Sequence, residues 1–526
     1  MKKILTKIKY LAFAAIVFAT LSSCLNDLDT DPKYDLTLEN ILAQDPNAVE
    51  GMLSRLYASF ALSSVNGPGS SDIAGADPGE SPFVRGLVNL NDFTADGMKN
   101  RWGDDGLDPL TTTSGWTANN KFFKYVYDRI YYTIPQATNL ILVMKSDNVK
   151  YANKEQVISE LRFLRALSYF YLIDFYGKGV LVKDDNFNTS TPLPQASRAE
   201  LFAFAESELK DIEGKLAPTN AYGRATRSAA RMLLAKLYLN AEVYTGTAKY
   251  SEAAALLNSI IAEGGYQLEG NFRKNFTTDN YTSNEIILPL IADVTTSQSY
   301  GNTTYIIQGS LSINTMNPAD YGSVGPDAGA WTGHRATKAW YGLFGNSAAD
   351  LAASTDQRAK LFWTTGHTWE MNDYKEWTHG YPSVKYTNLS STGAGTPSVF
   401  VSTDFPLFRY SDVLLMYAEC ALRGAAGTTT AQGLTYLNQV RQRSGATVLG
   451  SMTLQTVLDE RGRELGLEGH RRQDLIRFGK FTGGSYLWPW KGGLKDGTAI
   501  SDNYKVFPIP LTALQSNPNL TQNTGY

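Results

Sequence analysis

Cysteine, histidine and net charge are all scarce in this chain of 526 residues, and each scarcity excludes a class of protein. Two cysteines are too few for a disulfide scaffold, so stability has to come from a packed core. Four histidines leave little imidazole for acid–base chemistry. A net charge of −3 gives no sign of a nucleic-acid-binding surface. After the N-terminal segment, no apolar run approaches the length that spans a membrane.

The sequence also lacks the common signatures of catalysis. It contains no His-Glu-x-x-His helix, no Gly-x-Ser-x-Gly turn, no Cys-x-x-Cys pair and no phosphate-binding loop. Asp104 and Asp105 are adjacent carboxylates, whereas the two carboxylates of a glycosidase stand about 5–10 Å apart across a sugar. The acidic residues in 27–31 mimic the start of a calcium loop, but Pro32 replaces its glycine. We therefore predict a protein that is not an enzyme, with no cofactor and no metal ligands.

The first residues are typical of an export signal. Four lysines in 2–9 precede an almost wholly apolar run over 11–20, which is shorter than the about 20 residues of a stable membrane-spanning helix. Small residues then lead to Cys24, and this join resembles the lipobox of bacterial lipoproteins, in which the cysteine thiol receives diacylglycerol. We predict a signal peptide over 1–23 and lipidation of Cys24. The alternative is an ordinary secreted protein in which this cysteine is incidental.

A polar leader follows the predicted cleavage site. Residues 24–40 begin with an acidic string and contain too little apolar surface to offset the entropy of ordering, which indicates a flexible, lipidated tether. The acidic string resembles the surface-export signal of lipoproteins in Bacteroidetes-type bacteria. A solvated charge cluster is the alternative interpretation.

Several segments have the apolar periodicity of amphipathic helices. Ser197 and Glu200 are spaced as a capping box in front of one of them. Two helix pairs each run for roughly 34 residues, which is the period of tetratricopeptide hairpins. The predicted helices cover 157–176, 201–215, 228–244, 250–263, 411–423, 431–443 and 454–467.

Long stretches rich in Gly, Thr, Ser, Asn and aromatic residues separate these helices. They cover 67–116, 271–340 and 363–401. Loops of this length are uncommon in compact domains unless they are functional, so we expect the function to lie in them. The chain is also too long for one hydrophobic core, because cores stop growing near roughly 250–300 residues.

Four further segments, in a fixed order, resemble the signatures of the SusD/RagB family of outer-membrane glycan-binding lipoproteins. The first three are ELRFLRALSYFYL from Glu160, PLFRYSD from Pro406 leading into LLMYAE, and ERGRELGLEGHRR from Glu460. The last consists of FPIP from Phe507 and NPNLTQN from Asn517. A WPWKGG run from Trp488 is similar to members of the starch-binding branch.

The resemblance implies an all-α, tetratricopeptide-like helical scaffold with long decorated loops and a few short strands. An N-terminal region over 41–270 is expected to hold helix pairs, and a C-terminal region over 271–526 to hold ligand-binding loops and closing helices. Family members bind oligosaccharides without catalysis. They sit over a SusC-like TonB-dependent transporter and are anchored by lipid in the outer membrane, facing outward.

The resemblance also implies which residues bind the glycan. Arg85 and Trp102 match an arginine and a tryptophan that contact ligand, and Asp104 or Asp105 falls near a ligand-contacting asparagine that this chain does not preserve. Tyr300 matches a tyrosine platform and Trp331 a second tryptophan. Flat rings with a few polar groups suit a neutral sugar, and aromatic residues make up 12% of the chain.

Several alternatives remain open for these residues. A loop tryptophan can pack into its own loop, Arg85 can hold its loop through Glu80, and Tyr305 competes with Tyr300 as the platform. Three carboxylates from Glu460 at four-residue steps indicate salt-bridge support on a helix face rather than a site. For the ligand, starch-like α-glucan is favoured. The alternatives are a fructan such as levan or a peptide as the ligand, or a different function altogether, that of a glycoside hydrolase.

Overall fold

The computed structural model describes residues 37–325 and 328–526, with the side chain of Pro46 excepted, and it is a helical scaffold with few short strands. This confirms the predicted fold class. The predicted signal peptide over 1–23, Cys24 and most of the tether over 24–40 lie outside the described residues. The first described helix begins at Leu38, within the range predicted as tether. None of the described helices is both long enough and apolar enough to cross a membrane.

The α-helices of the described residues are numbered here in chain order. They are α1 (Leu38–Gln44), α2 (Pro46–Ala58), α3 (Phe83–Val88), α4 (Leu107–Thr111), α5 (Lys121–Lys145), α6 (Lys154–Phe175), α7 (Arg198–Glu213), α8 (Arg227–Leu239) and α9 (Ala241–Thr245). The remaining helices are α10 (Tyr250–Glu263), α11 (Thr303–Ser310), α12 (Lys338–Tyr341), α13 (Ala348–Ala353), α14 (Tyr410–Leu422), α15 (Thr430–Arg443), α16 (Leu454–Leu465), α17 (Arg471–Arg477) and α18 (Leu511–Ser516).

Short strands and turns of helix fill the connections. The strands are β1 (Met98–Asn100), β2 (Gly179–Val180), β3 (Gln195–Ala196), β4 (Ile286–Leu290), β5 (His334–Ala336) and β6 (Phe405–Arg409). They form three antiparallel pairs, β1 with β5, β2 with β3 and β4 with β6. A π-helical turn covers Asn89–Phe93, and 3₁₀ turns cover Phe272–Phe276, Asn280–Thr282, Pro318–Tyr321, Gly342–Phe344, Gln357–Leu361, Lys491–Gly493 and Asp502–Lys505.

The long helices pack against one another as a series of neighbours. Helix α6 lies between α5 and α7, α8 packs against α7 and α10, and α14 packs against both α15 and α16. Helix α10 also packs against α14, although residues 264–409 separate them in the chain. The repeat is therefore continuous in space, and the inserted segment loops out of it and returns.

Most of the predicted helices are confirmed within a few residues, and one is divided. The capping box of Ser197 and Glu200 is present with both of its hydrogen bonds, and α6 is followed by Gly177 with φ +71°. The helix predicted over 228–244 is two helices, because the backbone leaves the helical conformation at Asn240. Helix α5, the longest of the described residues, is absent from the predictions.

Buried apolar side chains form one large cluster that extends from Leu42 to Ile509. A second, small cluster lies where α14, α15 and α16 meet, and it includes Leu414, Leu437 and Val457. The prediction that the chain is too long for one core is therefore wrong for most of the described residues. The N-terminal and C-terminal regions contribute to the same core, because α10 and α14 join them.

A set of buried ion pairs, called the charge layer below, fastens the inserted segments to the helices. Its carboxylates and cations each number four, with side chains at most 4% exposed. The members are Glu285, Glu460, Glu464, Glu468, Arg358, Arg409, Arg443 and Lys385. The three glutamates predicted to support a helix face do form salt bridges, but they are buried and their main partners come from distant segments.

Glu464 on α16 is the hub of the charge layer. Its carboxylate pairs with Arg409 at 3.0 Å, with Arg358 at 2.9 Å and with Arg443. Burial alone would raise the pKa of the Glu464 carboxyl, but the surrounding guanidinium groups outweigh it and hold that pKa well below its usual range. Loss of one cation would leave several buried carboxylates with too little positive charge around them, which is far more destabilising than loss of an exposed pair.

Candidate functional site

The antiparallel pairing of β1 with β5 brings two predicted ring residues together. Asn100 of β1 lies opposite His334 of β5. Because the strands run in opposite directions, the residues that follow β1 and those that precede β5 leave the ladder at the same end. Trp102 and Trp331 are these residues, and their ring centroids are 6.3 Å apart at an interplanar angle of 58°.

Tyr300 and Phe400 extend this pair into a row that we call the ring arc, made of Trp102, Trp331, Tyr300 and Phe400. The centroids of Tyr300 and Trp331 are 6.4 Å apart, and those of Tyr300 and Phe400 are 4.9 Å apart. Tyr300 is 38% exposed, and the other three rings are half-buried. The structure therefore brings all three predicted rings into one surface.

Packing on its interior side and one hydrogen bond hold the Trp102 ring in place. Its indole N–H donates to the carbonyl oxygen of Trp331 at 3.0 Å, and its ring lies 5.7 Å from Tyr305 and 5.1 Å from His334. A Cβ on Gly333 would lie only 2.5 Å from the Trp102 ring, so only glycine fits there. Trp102 thus combines the two interpretations of a loop tryptophan, since one side packs into the protein and another remains accessible.

Trp331 is displayed on a tightly constrained turn. Its neighbours Ala330 and Thr332 both have left-handed backbones, with φ of +57° and +56°, and this is unfavourable for a β-branched residue such as threonine. The amides of Trp331 and Thr332 donate to the carbonyl oxygens of Gln308 and Leu311 at 2.6 and 2.9 Å. Bonds to α11 and the residue after it hold this conformation, so the ring is positioned before any ligand arrives.

Tyr305, the competitor of Tyr300, is an interior residue. It is fully buried, and its hydroxyl donates to Asn89 Oδ1 at 2.7 Å in the π-helical turn. The guanidinium carbon of Arg85 lies 4.6 Å from its ring centroid. Tyr305 therefore supports Trp102 and Arg85 from inside, and Tyr300 is the tyrosine that offers a ring face to solvent.

Arg85 and Asp104 form an ion pair beside Trp102. Arg85 Nη2 donates to Asp104 Oδ2 at 2.8 Å, and Nη1 donates to the carbonyl oxygen of Gly79 at 3.2 Å. The Arg85 guanidinium carbon lies 5.7 Å from the Trp102 ring centroid. Glu80, the partner considered for Arg85, instead pairs with Lys121. The arginine is thus fixed at one end of the ring arc.

Asp105 differs from its neighbour. Its side chain is exposed, whereas that of Asp104 is partly covered and engaged with Arg85. Of the two carboxylates predicted near the ligand, Asp104 is the one that pairs with Arg85, which in turn lies beside Trp102. It can accept a hydrogen bond from a hydroxyl while it holds the arginine in place.

His334 is the buried polar residue beneath the arc. Its Nδ1 lies 2.9 Å from the side-chain nitrogen Nδ2 of Asn100, and its Nε2 lies 3.1 Å from the backbone carbonyl oxygen of Tyr305. These partners assign a neutral ring in which Nδ1 accepts and Nε2–H donates. Burial lowers the pKa of His334 to about 3, so the imidazole stays uncharged at neutral pH.

Phe400 is the arc residue that sequence reasoning missed. It stands at the end of the long loop 363–401, far in sequence from the other rings. The only signal is an apolar Val-Phe-Val run after a polar stretch, and such a run more often enters a core. Among the described residues, no group of three or more His, Cys, Asp and Glu side chains is arranged to hold a metal ion.

The scaffold and the ring arc together define a helical-repeat protein that carries an exposed aromatic surface on its insertions. Residues 258–526 match the model of the SusD family. The chain is 31% identical to the starch-binding protein SusD of Bacteroides thetaiotaomicron, over 99% of this chain and all of that protein. The chain therefore belongs to the SusD family, as its sequence motifs predicted.

Solved structures of the same superfamily share the fold. A SusD superfamily protein of Parabacteroides distasonis superposes with a TM-score of 0.71 at 19% identity, covering 91% of this chain and 99% of that one. Surface glycan-binding protein A of Bacteroides thetaiotaomicron, in complex with laminarihexaose, gives a TM-score of 0.68 at 20% identity, with 91% and 99% coverage. At these identities the likeness establishes the fold.

Proposed function

We propose that this protein is a cell-surface lipoprotein that binds a neutral oligosaccharide on its ring arc, without catalysing a reaction on it. The observation that carries the proposal is the row formed by Trp102, Trp331 and Tyr300, whose rings are fixed from below and partly open to solvent. A sugar offers apolar C–H faces and hydroxyl groups. Partly exposed rings with the Arg85–Asp104 ion pair at one end match both features.

A starch-like α-glucan is the favoured ligand. Successive rings of the arc are inclined to each other, by 58° between Trp102 and Trp331 and by 45° between Trp331 and Tyr300. A curved platform of this kind suits a chain that bends, as α-glucans do. The full-length similarity to a starch-binding relative supports the same choice.

The bound glycan would then pass to a SusC-like TonB-dependent transporter in the outer membrane. Family membership supports this transfer, and it likewise supports anchoring through a lipid on Cys24. A Cys24→Ala variant expressed in its natural host should be lost from the membrane fraction, whereas a variant of the neighbouring Asn26 should stay there. Equal membrane retention of both variants would contradict the lipid anchor.

The binding site can be tested by isothermal titration with maltooligosaccharides. An open platform should give about −4 to −7 kcal/mol, or millimolar to about ten-micromolar dissociation constants. Trp102→Ala and Trp331→Ala should each abolish measurable binding, while Trp363→Ala, outside the arc, should not. Unchanged affinity in both arc variants would place the site elsewhere.

The same experiment separates the alternatives. Titration with levan oligosaccharides and laminari-oligosaccharides identifies a different sugar with the same architecture, and a protein that ignores every saccharide but binds peptides would contradict the proposal. Chromatography of each oligosaccharide after long incubation should show unchanged chain lengths. Shortened products would indicate a glycoside hydrolase.

A further inference from the structure

A second concave surface lies next to the ring arc and has no part in the function proposed above. It is a cleft of about 450 Å³ between α2, the turn at 222–224 and the end of β4. Its wall includes Arg55, Val65, Tyr222 and Ile291. Val65 and Tyr222 are 49% and 45% exposed, which is unusual for apolar and aromatic side chains that share a hollow. We call it the Tyr222 cleft.

The Tyr222 cleft and the ring arc share the segment from Ser297 to Tyr300. Ser297 lines the cleft and precedes Tyr300 by three residues, a separation that a fully extended chain bridges in at most about 11 Å. Leu62 and Val65 also line the cleft, and their segment leads on to Gly79. A Cβ on Gly79 would lie 3.4 Å from the Cβ of Tyr300. The two surfaces are therefore neighbours.

Tyr222 offers a fixed ring at the mouth of the cleft. Its hydroxyl donates to Asp404 Oδ2 at 2.6 Å, and Asp404 Oδ1 accepts from the amide of Ala292 at 2.9 Å. The exposed ring of Tyr281 stands 6.5 Å away at an interplanar angle of 79°. Because the hydroxyl is already held, the ring is oriented without a ligand, which lowers the entropic cost of stacking against it.

The charged groups of the cleft are already matched. Arg224 donates to Glu160 and to Glu50, each at 2.8 Å. Arg55 donates to the Tyr132 hydroxyl at 3.1 Å and lies 3.5 Å from Asp72. An anionic ligand would have to compete with these carboxylates.

The remaining polar groups of the wall are neutral hydroxyls. Ser54, Tyr57, Thr296 and Ser297 supply them, and of these the Tyr57 hydroxyl donates to Glu160 and the Thr296 hydroxyl to Asp293. Hydroxyl groups beside an oriented aromatic ring favour a ligand that is itself neutral and rich in hydroxyls.

We propose that the Tyr222 cleft is a second saccharide subsite, which takes the continuation of a neutral glycan chain whose other part lies on the ring arc. This inference rests on the function proposed above. The protein would accordingly bind a long chain more tightly than a trisaccharide, because a second contact joins the first on one molecule. Tyr222 and its neighbours would then determine the preference for long chains, and the ring arc would bind the glycan whatever its length.

The test compares short and long members of two glucan series, maltotriose with soluble amylose and laminaritriose with laminarin, by isothermal titration. Tyr222→Ala should weaken binding of the long chain roughly three- to tenfold and leave the trisaccharide unchanged. Tyr222→Phe keeps the ring and should retain most of the long-chain affinity. Val65→Arg changes an exposed side chain, so the variant should fold, and its longer side chain should obstruct the cleft and reproduce the Tyr222→Ala effect.

The outcomes separate this inference from the proposed function. If Trp331→Ala loses both chain lengths while Tyr222→Ala and Val65→Arg keep the wild-type ratio of long-chain to short-chain affinity, the second subsite is disproved and the ring arc stands. If the wild-type protein binds neither chain length in either series, nor the levan oligosaccharides, both proposals fail. A loss confined to the long chain in both cleft variants supports the second subsite.

Discussion

The charge layer and the ring arc are opposites in construction. In the charge layer, Arg409 and Glu464 are buried at 1% and 0% side-chain exposure and are paired on several sides. In the ring arc, Tyr300 is 38% exposed and the contacts are between aromatic rings. Half of the residues of the charge layer lie in segments that resemble family signatures, whereas the rings of the arc lie in loops without a recognisable sequence motif.

This difference shows that the recognisable motifs of the chain supply ion pairs that hold its frame, whereas the rings of the proposed site lie on the loops. Glu460, Glu464 and Glu468 belong to the ERGRELGLEGHRR segment, and Arg409 belongs to PLFRYSD. Their ion pairs fasten Arg358 and Lys385 of the inserted segments to the helices. Ligand choice is then free to vary in the loops while the frame stays the same.

The largest expected effect is on stability, from breaking the charge layer. Arg409→Met leaves the buried carboxylates of Glu285, Glu464 and Glu468 short of a cation and should lower the free energy of unfolding by ~3–5 kcal/mol in urea denaturation. Lys338→Met, which breaks an exposed pair with Glu370, is the control and should cost ~0–1 kcal/mol. Equal effects of the two substitutions would contradict a structural role for the charge layer.

The next largest effect is the pH dependence of stability that comes from His334. This buried residue beneath the arc is neutral, whereas the buried residues of the charge layer are ionised. Burial holds its pKa at about 3 in the folded protein, against about 6.5 in an unfolded chain. Above pH 6.5 both states hold a neutral ring. Between about pH 6.5 and 3 only the unfolded chain takes up the proton, so stability falls as the pH falls.

Urea denaturation at pH 8 and pH 5 measures this contribution. His334 should account for ~2 kcal/mol of the stability lost between the two pH values. His334→Gln removes the titrating group, so the variant should lose that much less over the same interval. Parallel pH profiles for the wild-type protein and the variant would show that this imidazole titrates alike in both states.

Gly333→Ala should affect binding more than folding. The added Cβ would lie 2.5 Å from the Trp102 ring, which has to move out of the arc. Titration with maltooligosaccharide should show an affinity loss of about tenfold, or ~1.4 kcal/mol. Gly103→Ala, next to the same tryptophan, meets nothing within 4 Å and is the matched control. Unchanged affinity in Gly333→Ala would mean that the rigid packing of Trp102 is unimportant, and an equal loss in Gly103→Ala would mean that the effect does not come from the contact with Trp102.

The smallest effect distinguishes the two adjacent carboxylates. Asp104→Asn weakens the hold on Arg85 and should reduce glycan affinity about threefold, because a partly exposed ion pair contributes only ~0.2–1 kcal/mol. Asp105→Asn alters an exposed side chain and should leave affinity unchanged. The reverse order, measured in the same titrations, would assign the ligand contact to Asp105.

Much of the scaffold is predictable from the sequence, because apolar periodicity reports which face of a helix is buried. Helix α5 was missed for a physical reason. Pro135 lies in its interior, and proline usually ends a helix, but burial of residues on both sides of it, such as Ile130 and Ile141, holds the helix together. Asn240 divides a predicted helix without any proline or glycine, and periodicity cannot detect such a break.

For the candidate site, the sequence predicted which residues take part but not how they come into contact. Residue types and family likeness pointed to Trp102, Trp331 and Tyr300, but their contact depends on the β1–β5 register, which joins segments more than two hundred residues apart. The same limit explains why Phe400 and the Tyr222 cleft were missed. Likewise, the four-residue spacing of the glutamates predicted salt bridges, whereas their burial depends on cations from other parts of the chain.

The pairing of β1 with β5 has a consequence for how the protein matures. Trp102 comes from the first quarter of the polypeptide and Phe400 from the last, so the ring arc forms only after both segments have been synthesised and have folded together. A half-length fragment such as 258–526 retains Tyr300 and Trp331 but loses the tryptophan and the arginine beside them. If the proposed function is right, glycan binding is therefore an assay of complete assembly, because a chain that lacks either segment lacks part of the ring arc.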